Sequence, residues 1–245
     1  MKLQHLSYSK IKNLLISPAY FKYMVENPPE QTEALKFGQL YHKFIQTDGT
    51  MDLTVFDPDE RPEPDKTFAS KANKEWKASF PEDAINKELY DHICEMYNTL
   101  TFNPHLRRIW DAGGKNEQWI EGEIDGVKFK GIADRINSNF IVDYKTIGKE
   151  PTEYAVARAI VDNAYYLQPG VYCPLTGIDG FCLVFQCTKP PYDVQVVMLS
   201  DDYLEFGKDE VKRLIALYKS CEDKQEWPGI GEINGVIQLT KPTYL

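Results

Sequence analysis

The chain has 245 residues, 42% hydrophobic and 27% charged, which fits a folded domain with a sizeable core and excludes a disordered tail protein. Lys and Arg total 28 against 37 Asp and Glu, a net charge of −9. Such a surface is a poor general binder of polyanions, so a nucleic-acid partner requires basic residues gathered into a groove, or else some of the acids hold cations. No run reaches the ~18 apolar residues of a membrane span, and the opening MKLQHLSYSKIKNLLIS lacks the apolar stretch of a secretory signal, so the expected location is cytoplasmic with no membrane contact.

The first hundred residues read as helices. Ser7 is placed to cap a first helix, with Leu6 and Ile11 spaced as a hydrophobic staple across its start, and Ile11, Leu14 and Leu15 continue the apolar face. Ser17-Pro18 is a second start, a cap followed by proline at the first helical position; Tyr20, Phe21, Met24 and Val25 follow at helical spacing until Asn27-Pro28-Pro29. A third helix is expected over residues 32–46. Residues 48–65, rich in proline and acid, read as a surface loop. ASKANKEWKASF then puts Lys71, Lys74 and Lys77 on one broad helical face, either solvated or the rim of a groove, and residues 82–110 look helical again.

Strands begin near residue 116. KNEQWIEGEI and VKFKGIADRI flank Asp125-Gly126, a two-residue hairpin turn, and FIVDYKTI follows a second turn at Asn137-Ser138-Asn139, which predicts a three-stranded antiparallel meander. Helical pattern returns over residues 152–176, FCLVFQC and DVQVVML are two further strands, and Ser200 caps a last helix with Asp201 and Asp202 in its first turn and Leu204, Val211, Ile215 and Tyr218 on its apolar face. The five cysteines form no CxxC pair; Cys182 and Cys187 fall on opposite faces of an apolar strand and read as buried free thiols. This order gives a mixed α/β (α+β) fold with one sheet. The expected organisation is a single domain over 1–245, with 1–112 mostly helical and 113–245 the sheet core.

The chemistry-bearing piece is Gly131-Ile132-Ala133-Asp134 followed by Ile141-Val142-Asp143-Tyr144-Lys145-Thr146. Asp143 and Lys145 share a strand face, because side chains repeat every second residue. A two-residue turn at Ser138-Asn139 sets Asp134 directly opposite Asp143. Carboxylates so paired have Cβ atoms roughly 4.5–5.5 Å apart and repel each other. A bound divalent cation is the simplest offset, and oxygen ligands suit Mg²⁺ or Mn²⁺. A lysine beside them can hold a nucleophilic water or stabilise charge developing on a phosphate. The competing reading is a surface ladder of acids and lysine; against it stand the apolar neighbours of Asp143 and the poor strand propensity of Asp and Lys.

These residues resemble the core of the PD-(D/E)xK nuclease superfamily, nearest to phage exonucleases of the RecE (exodeoxyribonuclease VIII) and lambda-exonuclease kind, with RecB-type nuclease domains as cousins. LSYSKIKNLLISPAYFKYM resembles the family's helical opening, FGQLYHKFI its Phe-Gly-x-x-x-His segment, and YYLQPGVY its Gln-x-x-x-Tyr motif. The resemblance implies a restriction-endonuclease-like core, a central mixed sheet flanked by helices with a helical N-terminal region. It assigns Asp134 and Asp143 to the metal, with the Tyr144 carbonyl and His42 as further ligands, Lys145 as the catalytic lysine, and Gln168 and Tyr172 as residues that touch DNA or orient the site. Pro169 and Gly170 interrupt that last motif, so either the helix starts at Pro169 or it is kinked there. Glu117, Glu121 and Glu123 share a strand face with Trp119, and alternation cannot choose which supports the site; Glu117 is preferred.

The implied activity is Mg²⁺-dependent hydrolysis of phosphodiester bonds, as a 5′→3′ exonuclease on double-stranded DNA in phage-type recombination, with Mn²⁺ as a substitute ion. A ring-shaped trimer or tetramer and a single-strand annealing protein are the implied partners. The alternatives are a structure-selective or CRISPR-type endonuclease on the same core, or a catalytically silent nucleic-acid-binding module. Ser17 stands where iron–sulfur relatives carry cysteine, so no iron–sulfur cluster is expected. Lys66, Lys71, Lys74, Arg107, Arg108 and Arg158 are candidates for the DNA path.

Overall fold

The caps written into the N-terminal sequence set the first helices of the computed structural model, which describes residues 3–64 and 68–237. Ser7 accepts from the Lys10 backbone N–H at the start of α1 (Tyr8–Ile11), which passes into a 3₁₀ turn (Lys12–Leu15). Ser17 does the same for Tyr20 at the start of α2 (Pro18–Glu26), and Thr32 for Leu35 at the start of α3 (Glu33–Gln46). The expected loop over residues 48–65 carries one short strand, β1 (Val55–Phe56). After α4 (Lys71–Ala78), β2 (Ile85–Asn86) pairs with β1 in parallel, so the helical stretch expected from residue 82 starts late. Asn86 caps α5 (Lys87–Phe102), and Asn103-Pro104 breaks the chain into α6 (Pro104–Asp111), proline needing no donor at a first helical position.

The meander then appears as β3 (Lys115–Ile124), β4 (Val127–Ile136) and β5 (Phe140–Ile147). The helical stretch over residues 152–176 is two helices, α7 (Glu153–Asp162) and α8 (Leu167–Thr176), separated where Ala164 takes a left-handed φ of 54°. β6 (Gly180–Cys187), β7 (Val194–Met198), α9 (Asp201–Lys224) and α10 (Ile230–Asn234) complete the order. The sheet runs β3-β4-β5-β6-β7, antiparallel except for the parallel β5–β6 pair, and is mixed as expected.

Strand alternation sorts the core onto two faces of this sheet. Ile141, Phe181, Leu183 and Phe185 pack on one side with α1, α2, α7, α8 and α9. Val142, Tyr144, Cys182 and Val184 pack on the other with α3, α5 and α6. The N-terminal helices therefore cover both faces; Phe21 of α2 stacks on Trp227 beyond the end of α9, centroids 5.6 Å apart. Cys182 and Cys187 are buried free thiols. Among the described residues no helix is long and apolar enough to cross a membrane.

The feature that positions the site is a short ladder. β4 and β5 share only the pairs Arg135–Val142 and Ile136–Ile141, closed by the turn in which Asn137 Oδ1 accepts from the backbone N–H groups of Asn139 and Phe140. Beyond Arg135 the strands diverge. The freed edge of β4 is satisfied by Leu6, whose N–H donates to the Lys128 carbonyl (2.8 Å) and whose carbonyl accepts from Lys130 N–H (2.9 Å). A buried strand edge needs such a partner, and the N-terminal segment supplies it.

Candidate active site

At the point of divergence the Asp134 side chain takes the place of a backbone acceptor. Its Oδ2 accepts from the Tyr144 N–H at 2.7 Å. The register runs as the two-residue turn demands as far as Arg135–Val142, and Asp134 and Asp143 are the next residue of each strand past that last pair. Asp143 lies in β5 at 5% exposure, between Val142 and Tyr144. Its Oδ1 accepts from Gln168 Nε2 of α8 at 2.7 Å, and its Oδ2 forms an ion pair with Lys145 Nζ. Lys145 Nζ also sits over the Tyr165 ring, 4.6 Å from the centroid.

The gap between the strands lets groups from both faces of the sheet meet. From the face of the smaller core, α3 brings His42 Nδ1 to 3.4 Å from Asp134 Oδ1. His42 is the most open of the four, its side chain 26% exposed against 13% for Asp134. Its ring meets Tyr144 edge-on, and the Tyr144 hydroxyl accepts from Trp110 Nε1 of α6 at 2.8 Å. From the opposite face come Gln168, Tyr165 and two groups that local sequence did not single out for the site, Tyr8 and Lys12. Both belong to the opening segment, where the apolar spacing of Ile11, Leu14 and Leu15 draws attention to packing. The Tyr8 hydroxyl donates to the Asn163 carbonyl (2.9 Å), and Lys12 Nζ lies over the Tyr8 ring at 5.5 Å.

The electrostatics follow from this crowding. Burial alone raises the Asp143 pKa, and the neighbouring Asp134 adds to it, although Lys145 pulls the other way. Burial acts on Asp134 too, but His42, Lys145 and the Tyr144 N–H outweigh it and hold that carboxyl below its usual range. Burial opposes charge on His42 and Lys145, yet the two carboxylates keep both above their ordinary values. Burial and then Lys145 lower the Lys12 pKa. Two acids and two cationic side chains thus balance each other in a confined space.

The remaining expected residues are placed as follows. Pro169 falls in the first turn of α8, which starts at Leu167, so Gln168 and Tyr172 lie one turn apart on an unbroken segment. The interruption has a packing reason: a Cβ on Gly170 would meet the Gly207 carbonyl oxygen of α9 at 2.3 Å. Tyr172 is buried against β4, its hydroxyl donating to the Ile132 carbonyl at 3.4 Å, and it fills the space a side chain at Gly131 would need. Gln168 and Tyr172 thus act here on the protein itself, holding Asp143 and β4. Glu117 lies across β3 from Asp134, but it takes a left-handed φ of 48° and its side chain is exposed beside Lys43, Gln46 and Asn116. Arg158 pairs with Asp162 (3.2 Å) and Lys71 with Glu75 (3.7 Å); Lys74, Arg107 and Arg108 are exposed, and Lys66 lies outside the described residues.

Among the described residues no three His, Cys, Asp or Glu side chains stand as a ready-made metal cluster. The donor chemistry nevertheless suits a hard divalent cation: two neighbouring carboxylates, an imidazole and a strand edge without its ladder. The buried Gln168 Oε1, next to Asp143, is an acceptor without a hydrogen-bond partner among the described residues, and it too favours added positive charge.

A family model described as a PDDEXK-like domain of unknown function (DUF3799) matches residues 7–239. Among solved structures, a "Putative exonuclease" from Eubacterium rectale shares the fold, with a TM-score of 0.66 and 15% identity over 98% of this chain and 90% of that one. A second, SSO0001, aligns over 89% of this chain and 78% of its own at 14% identity, with a TM-score of 0.36. No curated protein matches this chain.

Proposed function

This chain belongs to the PDDEXK-like domain family, and from that premise we propose that it is a metal-dependent deoxyribonuclease, acting as a 5′→3′ exonuclease on the ends of double-stranded DNA. The observation that supports the reading is the meeting of Asp134, Asp143 and Lys145 where β4 parts from β5. In this proposal Asp134, Asp143, His42 and the Tyr144 carbonyl hold Mg²⁺, or Mn²⁺ in its place. Strand geometry sends that carbonyl to the same side as the Tyr144 N–H. When bound, such an ion lowers the pKa of water and offsets charge on the phosphate. Lys145, charged at neutral pH because both carboxylates face it, positions the attacking water or neutralises a phosphate oxygen. Gln168 orients Asp143, and Tyr172 fixes the strand that carries Asp134. Ser17 stands where iron–sulfur relatives carry cysteine, so the proposal includes no iron–sulfur cluster.

The exonuclease reading is in keeping with the name carried by the Eubacterium rectale protein of the same fold. A role in phage-type recombination, a ring of three or four subunits and a single-strand annealing partner extend the proposal. The test is one gel: linear and circular duplex DNA, each with Mg²⁺ and with chelator. Metal-dependent loss of linear DNA alone supports the proposal. Nicking or cutting of circles moves the assignment to an endonuclease, and a mobility shift without products leaves a binding module.

A further inference from the structure

We propose that Trp119 and Ile132 form a platform on which one nucleobase of the substrate stacks beside the cleaved bond; this rests on the nuclease reading above. The two residues are cross-strand partners in the register of β3 and β4, and β3 is an edge strand. Trp119 is 72% exposed and Ile132 39% exposed. Their neighbours Ile120 and Ala133 belong to the larger core, so by alternation the pair faces the other side of the sheet. That is the side on which α3 lies and from which His42 reaches Asp134. Ile132 is two residues from Asp134, about 7 Å along a strand.

Three further features point to a base as the occupant. The platform is rigidly backed, because Tyr172 donates to the Ile132 carbonyl and packs on Gly131 from behind. An indole beside an isoleucine offers a flat apolar surface, and stacking on it accepts any base. Farther out on the same face, Lys130 stands opposite Glu121 and Lys128 opposite Glu123. His5 approaches the Glu121 carboxylate at 3.0 Å. Each glutamate is matched by a lysine across the ladder, so the hairpin beyond the platform offers a phosphate backbone no net positive track. The platform therefore takes a base at one fixed distance from the site, and the strand ends or turns away there. A purely structural cross-strand pair also stabilises a hairpin, but such a pair has no reason to sense a base.

The test is single-turnover cleavage with Mn²⁺ of short duplexes carrying one abasic nucleotide, scanned through the positions flanking the cleaved bond. Wild type should lose rate sharply at one position only, by roughly 5- to 150-fold, the usual value of a stacked base. Trp119→Ala should lose a similar factor on intact DNA and nothing further on that abasic substrate, while Trp119→Phe keeps most of the rate. Wild-type protein that cuts DNA with no position-specific abasic effect overturns the platform, with no variant needed. A Trp119→Ala loss that persists undiminished on the abasic substrate overturns it as well. Wild type that cuts no DNA at all overturns the nuclease reading, and the platform with it.

Discussion

Replacing Asp143 by asparagine in chelator-treated protein should leave the melting temperature at or above that of wild type, although it breaks the ion pair with Lys145. The substitution acts on three terms: repulsion from Asp134, attraction to Lys145 and the burial of the charge itself. Asp143 repels Asp134 across the strands; at a cross-strand separation of ~5 Å and an effective dielectric near 20, relief of that repulsion gains about 3 kcal/mol. Asp143 also attracts Lys145, with which it forms an ion pair between side chains only 7% and 16% exposed. At a contact distance of ~3 Å the same arithmetic gives a loss of about 5 kcal/mol, because a buried ammonium is left without its partner. The ion-pair loss exceeds the relieved repulsion by about 2 kcal/mol, but burial opposes the Asp143 charge strongly enough to keep its pKa raised despite Lys145, so the neutral isostere gains more than it loses, each 1 kcal/mol of gain being roughly 2–4 °C of melting temperature. Asn keeps an oxygen for Gln168, so that contact does not confound the result. Lys145→Met should instead lower the melting temperature, since it leaves two acids facing each other. The double variant Asp143→Asn/Lys145→Met should recover much of the loss, because neither charge is then orphaned. The assay is thermal melting by circular dichroism for all four proteins in chelator. An Asp143→Asn protein that melts clearly below wild type, or a double variant no better than the worse single, would refute the reasoning.

Two further outcomes are expected. Mn²⁺ should raise the melting temperature of wild type and have little effect on Asp134→Asn. A folded-state ligand at a hundred-fold excess over its Kd adds about 2.7 kcal/mol, and an equal metal response in both proteins would remove Asp134 from the ligand set. Lys12 has no carboxylate within ion-pair distance among the described residues and lies near Lys145. Lys12→Met should therefore leave the melting temperature nearly unchanged and reduce the slope of log affinity for duplex DNA against log salt by about 0.9, the value of one phosphate contact; an unchanged slope would show that Lys12 meets no phosphate.

What could be read from sequence was local. Asp125-Gly126 and the turn at Ser138-Asn139 each determine the register of the strands they join, and both registers appear in the structure. Ser7, Ser17 and Thr32 cap their helices as their positions require. Ser200 holds the cap position of α9 without a side-chain cap bond. What could not be read depends on distant partners. The parallel β5–β6 pair forms across α7 and α8, with no local turn to announce it. Nothing near Lys145 in sequence says that Tyr165 lies under it or that Tyr8 and Lys12 stand close by. Proline at position 169 reads as a helix start or a kink, yet it falls in the first turn of α8, where a backbone N–H has no intrahelical acceptor anyway. Glu117 lies in a strand by pattern, and only the folded backbone gives it a left-handed φ.

The double duty of Asp134 bears on how a silent form of this protein should be made for trapping a DNA complex. The habitual choice is to delete an acidic residue of the centre. Here that residue also replaces a missing rung of the sheet, and its removal leaves the amide of Tyr144, a residue 4% exposed, with no acceptor. An unmet buried amide costs roughly 1–3 kcal/mol, and the segment carrying both Asp143 and Lys145 loses its tie to β4 beyond the Arg135–Val142 pair. A complex captured that way would display a relaxed centre and misreport the distances that matter. Silencing through position 145, with a cation supplied to balance the acids, leaves the rung intact and is the truer decoy.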